Sequence, residues 1–226
     1  MTIAVGMRIG DGLIFAADRL LSTDRHHFMD RNRKVTVYPL NHGSIFFAFA
    51  DSPIAAKEIR QKIETRLVAL DTSDYALSID DIGRITETVV NEVYANRLGA
   101  MPLQLLIAGA VPGEGTQMWV YDGEGGFNIG GEFIILGAGE SSLIRYLEAA
   151  YSRRDSLDIG KDVAIYLIHQ AEQFIPGCKG IDVIAIPNAE KSETEDWEWL
   201  SDDEIAARLG RIICREKDLL RKIVTG

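Results

Sequence analysis

Thr2 follows Met1 directly, and that order puts a hydroxyl where chemistry can start. Removing an initiator methionine before a small residue leaves a threonine with both a free α-amine and a hydroxyl. Such an amine has a reference pKa of about 8 and serves as a base near neutrality. Nucleophile and base then share one residue, and the amine activates the hydroxyl directly or through one water. Many chains begin Met-Thr, so the pair gains weight only from its surroundings. Other chemical patterns fail. Gly137-Ala138-Gly139 sits between a strand and a helix but lacks the third glycine and distal acid of a dinucleotide loop. His26, His27, His42 and His169 have no metal-ligand spacing. No Gly-x-Ser-x-Gly elbow occurs. Cys178 and Cys214 form no metal-type pair and read as two reduced thiols.

The elements that would position Thr2 come in a definite order. Residues 2–9 are rich in strand formers, Gly10-Asp11-Gly12 is a turn, and Leu13–Ala17 returns as a buried strand. Lys34–Tyr38 alternates and is expected to stop at Pro39, and Ser44–Ala50 is a nearly continuous apolar run. Asp51-Ser52-Pro53 opens a helix with Ala55, Ile59, Ile63, Leu67 and Leu70 at helical spacing. Ser78-Ile-Asp-Asp81 resembles a capping box before a second helix. Residues 103–110, 117–121 and 133–136 read as strands, and the glycine-rich 123–131 stretch as a hairpin turn. Residues 141–151 and 161–174 read as helices, and Ile181–Ile186 as a last strand. Strands joined by short turns, alternating with paired helices, predict an α+β layered sandwich of antiparallel sheets.

Composition limits the function classes. The chain has 226 residues, 24 basic and 34 acidic, for a net charge of −10, with 46% apolar residues. That is a soluble globular composition, and the charge argues against nucleic acid or an anionic membrane as partner. No signal-peptide core precedes Arg8 and Asp11, and no apolar run is long enough to span a membrane, so a cytoplasmic protein is expected. Residues 190–204 carry eight acidic residues and one lysine around Trp197 and Trp199; residues 208–222 carry six basic and two acidic ones. This acidic-to-basic order suits a helix dipole. The division expected is a domain over 1–188 and an acidic linker with a C-terminal helix over 189–226, packed on that domain or on a neighbouring subunit.

The first 38 residues resemble the start of proteasome-type β subunits, the N-terminal-threonine (Ntn) hydrolases. The matching stretches are Thr2-Ile-Ala-Val-Gly6, Asp11-Gly12-Leu-Ile-Phe-Ala-Ala-Asp18-Arg19 and Arg33-Lys34-Val-Thr-Val-Tyr38, aligned without a gap. More weakly, the resemblance runs through Gly137-Ala-Gly139 to Gly180-Ile-Asp-Val183. It implies a four-layer αββα sandwich, with Thr2 as nucleophile, Lys34 lowering its pKa and Asp18 holding the lysine. It also implies the Ala48 backbone amide as oxyanion donor. The sequence departs from the family at three places. Ala48 stands where glycine is common, and Ala138 where the family has serine, with Ser141 nearby as a substitute. Residues 174–178 lack the usual aspartate and serine. The resemblance puts Leu21, Ser22, Asn32, Phe46 and Ile54 near the specificity pocket. Phe46 would be its floor, unless it packs in the core.

These residues imply a threonine peptidase hydrolysing peptide bonds inside a self-compartmentalised homo-oligomer, a ring or open ring. No metal or organic cofactor is implied, and an ATP-dependent unfoldase is a conceivable partner. The short leader looks more like bacterial members such as HslV or Anbu, and the C-terminal helix and overall length look more like Anbu. Two readings stay beside this one: a non-catalytic scaffold or binding subunit, and an amidase acting on a small molecule.

Overall fold

The hairpin at the start of the chain is the centre of the first sheet. The computed structural model describes residues 2–22, 27–29, 33–72, 75–95, 103–122, 127–137, 140–152, 154–188 and 197–225, with only the backbone at 21–22, 27–29, 95, 140–142 and 219–225. Strands β1 (Ile3–Ile9) and β2 (Gly12–Asp18) pair antiparallel through a tight turn. With β10 (Phe133–Gly137), β11 (Ile181–Pro187) and β12 (Glu198–Trp199) they form a sheet in the order β10-β1-β2-β11-β12. The second sheet has the order β5-β6-β7-β8-β9. Its strands are β5 (Thr36–Leu40), β6 (Gly43–Asp51), β7 (Leu103–Val111), β8 (Gly115–Tyr121) and β9 (Phe127–Ile129). A small pair, β3 (Leu20–Ser22) and β4 (His27–Met29), stands apart. All pairings between these strands are antiparallel.

Period-2 burial divides the molecule into layers. Odd residues of β2, Leu13, Phe15 and Ala17, meet Phe46, Ala48, Leu106 and Met118 between the two sheets. Even residues Ile14 and Ala16 face the opposite way, into a core made with Leu147, Ala164, Leu167 and Ile168. Those come from α3 (Glu140–Ala150) and α4 (Leu157–Phe174). On the far side, α1 (Pro53–Leu70) and α2 (Ile79–Ala95) bury Ile59, Ile63, Leu67, Ile82 and Val89 against Phe47, Leu105 and Ile107. The chain is therefore the expected αββα sandwich. α5 (Asp202–Thr225) packs on α4, where Arg208 reaches Asp158 at 2.5 Å, Asp162 at 2.8 Å and Glu204 at 2.9 Å. Leu200 and Ile205 extend the core shared with α4.

Local signals hold the helix starts. Ser52 Oγ accepts from the Ala55 amide at 3.3 Å, and Pro53 takes the first turn. Ser78 and Asp81 form the reciprocal capping box: the Asp81 amide donates to Ser78 Oγ at 3.1 Å, and the Ser78 amide to Asp81 Oδ2 at 3.3 Å. Some boundaries differ from expectation. β5 runs through Pro39, because β5 is an edge strand and a missing N–H costs no ladder bond there. α4 starts at Leu157 rather than 161, capped by Ser156. Leu70, placed on the apolar stripe of α1, is exposed. β9 occupies part of the stretch read as a turn.

Candidate active site

β1 and β2 place Thr2 and Asp18 at the same end of the sheet, because the hairpin register pairs Ala4 with Ala17. The Ile3 amide donates to Asp18 Oδ1 at 2.8 Å, tying the start of one strand to the end of the other. The Leu20 amide adds a bond to Oδ2 at 3.1 Å. Lys34 enters just before β5 and is fully buried. Its Nζ lies 2.9 Å from both Asp18 oxygens, donates to the Leu20 carbonyl at 2.6 Å, and reaches Thr2 Oγ1 at 3.2 Å. Thr2 itself is 6% exposed. The three residues expected together are therefore within one hydrogen-bonded cluster.

The electrostatics follow from the dryness of this corner. Burial raises the Asp18 pKa, while the Lys34 charge and the Ile3 and Leu20 amides pull it back down. Those donors all favour the carboxylate form of Asp18. An ammonium 3.2 Å from Thr2 Oγ1 donates a hydrogen bond to that oxygen, an arrangement that would favour its deprotonated form.

The backbone beneath Thr2 is closely fitted. Gly137 faces Ile3 across the sheet at φ +93°. A Cβ there would sit 1.9 Å from the Thr2 carbonyl oxygen. Only glycine allows that approach. Gln104 Oε1 on β7 accepts from the Gly137 amide at 2.7 Å, bracing it from the second sheet. Asp51 ends β6 with φ +74°, the one left-handed non-glycine among the described residues, and burial raises its pKa. Neither Gln104 nor Asp51 carries a sequence motif; only the fold brings them beside the start of β1.

The other expected residues lie on several elements. Ala48 is fully buried and is the first residue of β6 beyond the last rung of the β5 ladder, where Phe47 pairs Thr36. Phe46 is fully buried between the sheets, edge-on to Trp197 with ring centroids 6.5 Å apart. Ile54 is exposed at the start of α1. Leu21 and Ser22 belong to β3 and Ser141 to α3, but their side chains, with Asn32 and Ala138, lie outside the described residues. Cys178, at the end of the 174–178 stretch, is buried, and burial together with the Asp18 charge pushes its thiol up to about 12. A thiol so far from ionisation is neutral at pH 7 and not a nucleophile. Among the described residues no cluster of His, Cys, Asp and Glu could hold a metal.

A second buried carboxylate was not foreseen from sequence. Asp182 on β11 is bound by Arg19 Nε at 2.7 Å, and Arg33 Nε stands 3.7 Å away. Arg33 also lies over the Trp199 ring, 4.0 Å from its centroid. Arg19 continues to Asp202 at 2.7 Å, at the start of α5.

Comparison with known proteins accounts for this arrangement. The family profile for proteasome subunits matches residues 2–186. The chain belongs to the proteasome subunit family. Three solved Anbu structures share its fold. A Gly-1 mutant from Hyphomicrobium sp. strain MC1 is 16% identical, with 99% of each chain covered and a TM-score of 0.79. The ancestral β-subunit from Yersinia bercovieri is 18% identical, with 98% and 96% covered and a TM-score of 0.79. A helical assembly from Pseudomonas aeruginosa is 15% identical, with 97% and 96% covered and a TM-score of 0.77. No curated protein matches by sequence. No helix among the described residues is long and apolar enough to cross a membrane.

Proposed function

We propose that this protein is a threonine-type peptidase in which Thr2, freed of Met1, attacks the carbonyl carbon of a peptide bond. The observation that carries the reading is Lys34 Nζ, joined at once to Thr2 Oγ1 at 3.2 Å and to both oxygens of Asp18 at 2.9 Å in a dry corner. In the attack, Thr2 Oγ1 bonds to carbon and its proton passes to the α-amine. Lys34 stabilises the oxygen as it loses that proton, and the Ala48 amide is the oxyanion donor. Collapse breaks the C–N bond, and the amine proton goes to the leaving amine. Water then hydrolyses the ester and restores Thr2. The role of Ser141 is to assist the proton transfer. No cofactor takes part.

The protein works as a cytoplasmic homo-oligomer whose sites face an enclosed space; the helical assembly of the Pseudomonas aeruginosa protein supports self-association. An ATP-dependent unfoldase would supply extended substrate. The test is hydrolysis of a fluorogenic peptide library by the assembled protein. Turnover by wild type and none by Thr2→Ala supports the reading, and equal turnover by both refutes it. The scaffold reading has one supporting observation: the 174–178 stretch lacks the aspartate and serine the resemblance leads one to expect, and the thiol of Cys178 there is neutral.

A further inference from the structure

The chain neighbours of both buried ions lead to the C-terminal segment. Arg19 follows Asp18; its Nε meets Asp182 Oδ1 at 2.7 Å and its Nη2 meets Asp202 Oδ1 at 2.7 Å. Arg33 precedes Lys34, and its guanidinium lies over the Trp199 ring, 4.0 Å from the centroid. Trp199 is itself held by β11: it pairs Ile184, and the Leu200 amide donates to the Val183 carbonyl at 3.1 Å. Residues 197–202 are thus docked against the two arginines that flank the Asp18–Lys34 pair in the chain.

Arg33 is the unsettled member. Its Nε stops 3.7 Å from Asp182 Oδ1, beyond hydrogen-bond distance. Asp182 Oδ2 is buried and makes no hydrogen bond among the described residues. A guanidinium and a carboxylate gain most from a two-point contact. Here Arg33 leaves that contact open and rests its cation on an indole face instead. Lys34 is sensitive to the choice. It lies two residues ahead of β5, whose first rung is Thr36 with Phe47, so no strand pairing among the described residues fixes its backbone. On one side of it Val35 is fully buried between the sheets, and on the other Arg33 is stacked on Trp199. A turn of Arg33 towards Asp182 would draw the Lys34 backbone with it and lengthen the 3.2 Å contact with Thr2 Oγ1.

We propose that Trp199 is a positioning residue: it holds Arg33 off Asp182 and so keeps Lys34 Nζ against Thr2 Oγ1. The C-terminal segment then completes the site without touching it, through one cation–aromatic contact. The inference rests on the peptidase reading for its meaning in catalysis, but it can be measured without turnover.

The test compares full-length wild type with Trp199→Leu, Trp199→Phe, and Trp199→Leu combined with Arg33→Gln, each with a melting curve to confirm the fold. Leucine keeps the apolar bulk and removes the ring; phenylalanine keeps a ring. Two readouts are taken. One is the rate at which a threonine-directed β-lactone labels Thr2. The other is hydrogen exchange of the Ile3 and Leu20 amides, which both donate to Asp18. Trp199→Leu is expected to label at least about tenfold more slowly. It is expected to exchange those two amides at least about fivefold faster, with the β7–β8 pairing unaffected. Trp199→Phe is expected to stay within about threefold of wild type in both readouts. Adding Arg33→Gln to the Leu variant is expected to raise its labelling rate at least about fivefold, because nothing is then drawn to Asp182. A merely structural role for Trp199 would make the double variant worse than the single one. Should Trp199→Leu fail to fold, Trp199→Met is read in its place. Wild-type rate and exchange in the Leu variant, a Phe variant as slow as Leu, or a double variant no faster than the single one overturns the inference. The expected exchange pattern across the variants, with a wild type that takes no label, upholds the positioning role and removes the peptidase reading.

Discussion

Two aspartates at the same edge of the first sheet solve the same problem differently. Asp18 ends β2 and Asp182 opens β11, one rung apart, since Ile181 pairs Asp18 and Asp182 pairs Ala17. Burial raises the pKa of both. Asp18 is met by Lys34, with neither side chain exposed. Asp182 is met by two arginines that remain 20% and 39% exposed. The dry pair has no water to fall back on, so its worth depends on completeness, and Lys34 spends one contact on Thr2. The wetter cluster is spread over Arg19, Arg33, Trp199 and Asp202, and ties β12 and α5 to the sheet. The proposed reactive corner thus sits beside a structural one, and of the two only the first brings its cation to a hydroxyl.

Breaking each corner shows the contrast, and the largest effect belongs to the hydroxyl. Thr2→Ala is expected to lower peptide turnover by about 10³-fold or more with the melting temperature little changed, read from initial rates and calorimetry. Lys34→Met leaves Asp18 buried and unpaired, and is expected to cost about 3–5 kcal/mol in urea unfolding, along with activity. Gly137→Ala would push a methyl into the Thr2 carbonyl and hold a left-handed backbone without glycine; a loss of about 2 kcal/mol or more is expected. Arg19→Met should cost less, about 1–2 kcal/mol, because Arg33 stands near Asp182 to take its place. An equal loss for Lys34→Met and Arg19→Met would erase the distinction between the corners.

The smallest effect is set by acid. Arg19 holds the Asp202 pKa below its ordinary 3.8, and Arg208 does the same for Asp158. A depressed folded pKa gives stability that is present above 3.8 and lost as pH falls through the lower folded values. Both groups are exposed, so the gain is small. Hydrogen exchange at pH 5 and pH 3 should show α5 losing protection on acidification before the β1–β2 hairpin does. Simultaneous loss would place both corners in one cooperative unit.

Much of this was legible because it was local. The β1–β2 hairpin came from one turn and two apolar runs, and the helix starts came from Ser52-Pro53 and the Ser78–Asp81 box. Thr2, Asp18 and Lys34 lie within 33 residues, so their spacing could be compared with a family directly. β3, β4 and β9 are three residues each, too short for an alternation to show. Pro39 misled because its tolerance depends on β5 being an edge, which is a property of the sheet. Arg19 meets Asp182 across 163 positions, and Gln104 meets Gly137 across 33, so no spacing rule finds them. Phe46 faces the space between the sheets only because of where β6 lies in the second sheet, which no local pattern shows.

The most direct test is the intact mass of the assembled protein before and after a threonine-directed β-lactone or epoxyketone. The expected result is loss of Met1, then one adduct per chain that Thr2→Ala abolishes and the Lys34→Met protein forms far more slowly. Retained Met1, or a free Thr2 that takes no label, would contradict the nucleophile at the centre of this account.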